Sequence, residues 1–278
     1  MSLDQPYYAA SSLGRETPYP QHYDPELLLG LERAPGRQVW GMPAWPAYGG
    51  DVWTAYELSW LAADGRPQVG ILQMQVSAHS PRLVESKSLK LYLCSLHAQK
   101  FASREELLLC LQSDLEACLG ETPQLYLGDV HEPCWRPQPV EEAICIDAAE
   151  LGHERALLPD RHRLRAGAET KAETLVSHLF KSNCPVTGQP DWASVFIRYR
   201  GPGIEHGALL DYLLAFRDHA DFHEHCVERI YMDLWQSMAC EELLVMARYT
   251  RRGGIDINPW RASRAWAPEC LWPRQLRQ

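Results

Sequence analysis

The chain has 278 residues, 46% hydrophobic and 23% charged, close to the globular average, which excludes a disordered, collagen-like or small disulfide-stapled protein. Thirty-six acidic against 27 basic side chains leave a formal charge of −9, which argues against a general polyanion-binding surface and so against nucleic acid. No apolar run approaches the roughly 18 residues of a membrane helix, and nine cysteines, odd in number and in no CxxC pair, fit reduced thiols in the cytosol.

The length suits one large domain or two of ordinary size. Residues 1–50 are rich in Pro, Tyr and Gly and are expected to wrap a surface rather than form a long element. From Val52 the sequence alternates, placing Val52, Thr54, Tyr56, Leu58 and Trp60 on one strand face, and Asp64-Gly65 then marks a hairpin turn before VGILQMQV. ESKSLKLYL (85–93) alternates again and reads as a strand, with Glu85, Lys87, Leu89 and Leu91 on one side. A helix is predicted over 103–120, started by Ser103 with Glu106 three residues on and stopped by Gly120, with Cys110 and Cys118 on its buried face. The mixed stretch 131–170 is the best place for a boundary, set near 155. Beyond it, ETLVSHLFK reads as a short amphipathic helix and WASVFIRY as a strand with Ala193, Val195, Ile197 and Tyr199 on one face. Helices are predicted over 208–218 and 221–239, then strands in LLVMARYT and GIDIN.

Four segments carry candidate chemistry. GPGIEHG (201–207) imitates a dinucleotide fingerprint, but its second gap is one residue too long and no βαβ unit encloses it, so it is read as a plain turn. Cys184 lies in SNCPVTGQPD with Asp191 seven residues on. A thiol of ordinary pKa near 8.5 becomes a nucleophile where its surroundings raise the thiolate fraction, and the carboxyl could serve as an acid. The bland alternative is a packed thiol beside a turn-capping Asp. His219, His223, His225 and Cys226 crowd DHADFHEHC without matching a zinc spacing; Glu224 could instead accept paired N–H groups from a guanine-like ring that Phe222 covers. Finally, residues 248–278 hold seven Arg against two acids, and Arg251-Arg252-Gly253-Gly254 forms a basic turn where backbone can approach a phosphate.

ESKSLKLY, SNCPVTGQPDW, FHEHC and RRGGIDINP together resemble the motif set of the NADPH-dependent nitrile reductases that convert 7-cyano-7-deazaguanine to 7-aminomethyl-7-deazaguanine in queuosine biosynthesis. The likeness is to the long, two-module form and covers most of the chain from about residue 40. It implies an α+β fold of two tandem tunnelling-fold modules, residues 1–155 and 156–278, each an antiparallel sheet backed by helices, in a cytoplasmic homodimer. It also implies that Cys184 attacks the nitrile carbon to form a thioimide and that Asp191 protonates the nitrogen, with two NADPH consumed per turnover and no metal. The substrate positions it implies are Val84, Glu85, Ser86, Phe222, His223 and Glu224, and the cofactor positions are Ser86, Lys87, Arg252 and Gly253. Two rival readings are a zinc-dependent cyclohydrolase of the same fold, ligated by Cys184 with His223 or His225, and a non-catalytic purine-binding module.

Overall fold

A computed structural model describes residues 19–38, 41, 45–140, 142–152, 158–265 and 273–278. Cys270 and most of the Pro- and Tyr-rich start fall outside the described residues. In chain order the elements are β1 (Gly30–Glu32), α1 (Arg33–Gln38), β2 (Tyr48–Ala62), β3 (Pro67–Ser77), β4 (Arg82–Val84), α2 (Ser86–Ser95), β5 (Lys100–Phe101), α3 (Arg104–Leu119) and β6 (Gln124–Gly128). They continue with β7 (Ile144–Cys145), β8 (Ala166–Ser177), β9 (Lys181–Asn183), β10 (Pro190–Ile204), α4 (His206–Leu214), α5 (His223–Met238), β11 (Glu242–Tyr249) and β12 (Ile255–Ala262). The architecture is mixed α+β. One large sheet runs in the order β6-β3-β2-β12-β11-β10-β8-β7, antiparallel except where β7 meets β8 and where the short β5 pairs with β2. Its centre is the β2–β12 pairing, from Ile255 opposite Ala55 to Ala262 opposite Tyr48, which fuses the two halves of the chain into a single sheet.

The helices cover one face of each half. Leu107, Leu111, Leu115 and Leu119 recur every four residues along α3, which buries them against Leu58, Trp60, Leu72 and Met74 of β2 and β3. Ser103 caps α3 through its hydroxyl, which accepts from the Glu106 N–H, and Gly120 ends it in the left-handed conformation, as its sequence predicts. Cys118 is buried there; Cys110 is only half-buried beside Tyr23 and Asp114. On α5, Val227, Ile230, Tyr231 and Leu234 pack over β10 and β11, where Ala193, Val195, Ile197 and Tyr199 form the predicted inner face. A smaller cluster on the sheet's other face, including Val52, Phe196, Met246 and Trp260, is covered by Val140 and Ala143 from the connector.

Four sequence expectations need correction. ESKSLKLYL is a helix, because Glu85 accepts from the Lys87 and Ser88 N–H groups at 2.8 and 2.9 Å, and Leu89, Tyr92, Leu93 and Leu96 meet the core at helical spacing. ETLVSHLFK runs from the end of β8 through a short link to the start of β9, and pairing of Glu173–Ser177 with Tyr199–Val195 overrides a helix-like pattern. The expected single face of β2 is broken by an irregularity between Ala55 and Leu58: Trp53 and Ala55 share a core with Leu58 and Trp60, while Val52 faces the opposite side. GPGI is the end of β10 rather than a turn, with α4 starting at His206.

A buried ion cluster ties the N-terminal segment to this frame. Arg33 on α1 reaches Asp51 of β2 at 2.5 Å, and Arg37 reaches Glu228 of α5 at 2.6 Å. Arg261 of β12 joins both acids, at 2.8 Å to Asp51 and 2.7 Å to Glu228. Burial pushes the Glu228 carboxyl up, but Arg261 and Arg37 outweigh it and bring it down to about 2 from an ordinary 4.5. A lowered folded value means that this contribution is complete above about pH 4.5 and is lost as pH falls toward 2. Glu228→Gln should therefore cost about 3–5 kcal/mol in urea unfolding at pH 7, because it takes the carboxylate from buried Arg37 and leaves buried Arg261 with Asp51 alone. The difference from wild type should shrink at acid pH; an unchanged midpoint at pH 7 would contradict this assignment.

Candidate active site

A cavity of about 300 Å³ opens between the two halves, at the lower end of the range for small-molecule sites. Its walls come from β2, the β4–α2 junction, the loop before β10, the start of α5 and the turn between β11 and β12. Cys184 lies in that loop and is 7% exposed. Its N–H donates to the Gln189 carbonyl at 2.8 Å, and its carbonyl accepts from the Gly188 N–H at 2.9 Å, so the thiol is carried on a closed six-residue turn.

Asp191 lines the same cavity at the start of β10. Its carboxylate accepts from Arg252, which also donates to Gln189, and lies 3.4 Å from His223 Nε2. Burial pushes the Asp191 carboxyl up, but His223 and Arg252 outweigh it and hold the group below its ordinary range. The resting group is thus a carboxylate clamped between two cation-capable side chains. The His223 ring is in turn held against Tyr249, with ring centroids 3.9 Å apart.

Glu224 follows His223 on the first turn of α5 and also lines the cavity. Its Oε1 is buried and has no hydrogen-bond partner among the described residues. An unsatisfied carboxylate oxygen on a cavity wall is costly unless a ligand supplies the donor. Phe222 adjoins it on the cavity wall, placing an aromatic next to the acceptor.

Opposite these groups, Val84, Ser86 and Lys87 line the cavity from the β4–α2 junction. Glu85 does not: it is fully buried, and its carboxylate is committed to capping α2, which fixes Ser86 and Lys87 in place. Gly253 and Gly254 form a two-residue turn closed by Arg252 N–H to Ile255 O at 2.9 Å, both with positive φ, 60° and 83°. A Cβ on Gly253 would come within 2.9 Å of Lys90 Nζ, so the bare backbone leaves that lysine room at the cavity edge. Lys87, Lys90, Arg252 and this turn suit a phosphate-bearing ligand.

All of the sequence-derived site residues except Glu85 therefore line one cavity. The histidines of DHADFHEHC diverge: His225 bonds Asp221 at 3.0 Å, His219 lies 3.6 Å from the same carboxylate, and His223 turns to Asp191. Cys226 is buried in the second-half core. Among the described residues no group of three His, Cys, Asp or Glu side chains is placed to hold a metal. Lys90, Gln189, Thr250 and Trp53 also line the cavity and are not singled out by the sequence. Lys90 had a signal, since it lies three residues after Lys87 and shares its face once 86–95 is a helix.

Residues 19–127 match the family model described as "Nitrile reductase, 7-cyano-7-deazaguanine-reductase N-term", and residues 190–267 match "QueF-like protein". The chain is 49% identical over 271 residues to the NADPH-dependent 7-cyano-7-deazaguanine reductase of Stenotrophomonas maltophilia strain K279a, covering 96% of this chain and 98% of the relative. It belongs to this reductase family. The reductase of Chromohalobacter salexigens is 47% identical, covering 90% of this chain and 91% of its own, and that of Xanthomonas campestris strain B100 is 49% identical, covering 96% and 98%. The two family-matched segments of this reductase-family chain flank the connector and meet at the cavity: the first contributes Val84, Ser86 and Lys87, the second Asp191, Phe222, His223, Glu224 and Arg252. Cys184 lies just ahead of the second segment. No helix among the described residues is long and apolar enough to cross a membrane.

Proposed function

We propose that the chain reduces the nitrile of 7-cyano-7-deazaguanine to the aminomethyl group, through a thioimide on Cys184. The supporting observation is that Cys184, Asp191, His223 and Glu224 line one cavity together with the basic side chains Lys87, Lys90 and Arg252. Sulfur adds to the nitrile carbon while the ionised Asp191 takes the thiol proton and returns it to nitrogen, so the addition is balanced without a solvent proton. The lowered Asp191 carboxyl leaves the group ionised, the state in which it can accept the thiol proton. His223 lies within ion-pair distance of Asp191 and lines the cavity on the substrate side. Glu224 anchors the ring's amino and N–H edge through its unpartnered oxygen, Phe222 covers the ring, and Val84 and Ser86 complete the wall, with Glu85 fixing that wall from behind.

Ser86, Lys87, Arg252 and Gly253 would hold NADPH, which would supply one hydride from each of two molecules; with two protons, and with the C–S bond breaking after the first hydride to return the Cys184 thiol, C≡N gains four electrons and becomes CH₂NH₂. The surrounding frame is read as two tunnelling-fold modules meeting near residue 155, in a cytoplasmic homodimer whose partner is a small deazapurine. In support, each half presents antiparallel strands with two helices on one face. The reading needs no metal. The expected result is two NADPH oxidised per aminomethyl product, unaffected by a chelator. A tightly held zinc whose removal abolishes turnover would favour the cyclohydrolase reading instead.

A further inference from the structure

Gln189 lines the cavity and has no part in the chemistry assigned above, yet it touches two of the groups that do. Its backbone carbonyl accepts from the Cys184 N–H at 2.8 Å, closing the turn that carries the thiol. Its side-chain Oε1 accepts from Arg252 Nη2, while Asp191 Oδ1 accepts from Arg252 Nη1. The two Nη groups of one planar guanidinium are thus held by the two residues that flank Pro190, and the other N–H donors of its fork are left for a ligand.

Arg252 needs such holders. Its side chain is 39% exposed, against 4% for Asp191, and the next two residues, Gly253 and Gly254, both have positive φ and offer no side chain to pack on. A long side chain left free there must be ordered when a ligand binds, and that ordering weakens affinity. The two holders are not equivalent. Asp191 takes up the thiol proton in the proposed addition, and loss of its charge weakens its grip on the guanidinium. The Gln189 amide does not titrate, so its hold outlasts the change of charge beside it.

We propose that Gln189 is a positioning residue for Arg252: it keeps the guanidinium at the cavity edge, oriented for a phosphate of the nicotinamide cofactor, whether Asp191 is ionised or protonated. The inference rests on the assignment of Arg252 as a cofactor residue. One residue then fixes the nucleophile's turn through its backbone and the cofactor-binding cation through its side chain.

The test is calorimetric binding of NADP⁺ and, separately, of 7-cyano-7-deazaguanine, with Cys184→Ala as the parent protein so that no covalent step intervenes. Gln189→Met keeps the side-chain length and the backbone carbonyl but removes the acceptor. It should weaken NADP⁺ binding about fivefold, the scale of ordering one long side chain. Nitrile binding should stay within about twofold, the margin for independent sites. Gln189→Asn, which draws the amide back by one methylene, should weaken NADP⁺ binding to the same extent. In an Arg252→Met background Gln189→Met should add nothing, and in an Asp191→Asn background, which mimics the protonated acid, its effect should be at least as large as in the parent. Full NADP⁺ binding by Gln189→Met or Gln189→Asn overturns the proposal, and so does a loss that vanishes with Asp191→Asn. A loss that persists once Arg252 is gone also overturns it and makes Gln189 a direct ligand of the cofactor. Nitrile binding that falls together with NADP⁺ binding overturns it in favour of damage to the Cys184 turn. Normal NADP⁺ binding by Arg252→Met alone removes the cofactor assignment itself.

Discussion

Cys184→Ala should abolish turnover, by at least about 10⁴-fold, the order of loss seen when a covalent nucleophile is removed. It should also abolish a mass increase. Mixed with the nitrile and no NADPH, the wild-type chain should gain the full mass of the substrate in an intact-protein spectrum, because addition to C≡N expels no leaving group. The site favours a clean comparison: Cys184 is held by its backbone, through Gln189 and Gly188, rather than by its side chain. Losing one small, nearly buried thiol should cost on the order of 1 kcal/mol, which leaves the cavity folded. Turnover that survives in Cys184→Ala, or an adduct that persists in it, would sink the thioimide and leave a binding module or a different nucleophile.

For Asp191→Asn the expected loss is about 10²–10⁴-fold in kcat, the range for removing a positioned acid or base. Adduct formation should slow together with the overall reaction, because Asp191 is assigned to the sulfur-addition step itself. An adduct that forms at the wild-type rate would confine Asp191 to the later reductions. The pH dependence has a definite sign. His223 and Arg252 overcome burial and hold the carboxyl below its ordinary 3.8, so the ionised form persists as pH falls through the usual carboxylate range. No loss of activity attributable to Asp191 is expected until pH drops below about 3.8. The same sign applies to stability: the His223 and Arg252 contacts contribute fully above that pH and are lost only under stronger acid.

The candidate chemistry was legible because short motifs kept its residue types together, and the fold then brought Cys184, Asp191, Phe222, His223, Glu224, Arg252 and Gly253 onto one cavity. Alternation also served well where a strand faces a single core, as in Ala193, Val195, Ile197 and Tyr199. It misled at ESKSLKLYL, where alternating polar and apolar residues coincide with a helix that Glu85 initiates. A carboxylate two and three residues ahead of free N–H groups is a cap signal, and weighing it above the alternation places Lys87 and Lys90 on a common face. The irregularity within β2 has no comparable marker, since Ala55, Tyr56 and Glu57 are ordinary strand residues whose register is set by the Gly70–Leu72 stretch opposite. The Arg33–Asp51–Arg261–Glu228 cluster was equally hidden. Its members are spread over more than half of the sequence and are joined only by tertiary structure.

The seam at the middle of the sheet has a consequence for biosynthesis. Strand β2 emerges early from the ribosome, yet its hydrogen-bonding partner β12 comes near the last described residues, so one edge of β2 must wait for nearly all of the polypeptide. The nascent first half therefore exposes a long, unpaired row of amides that an identical neighbour on the same messenger could capture. Slow delivery of β12 should then appear as clumping of incomplete chains, whereas lost catalysis in a finished molecule should not.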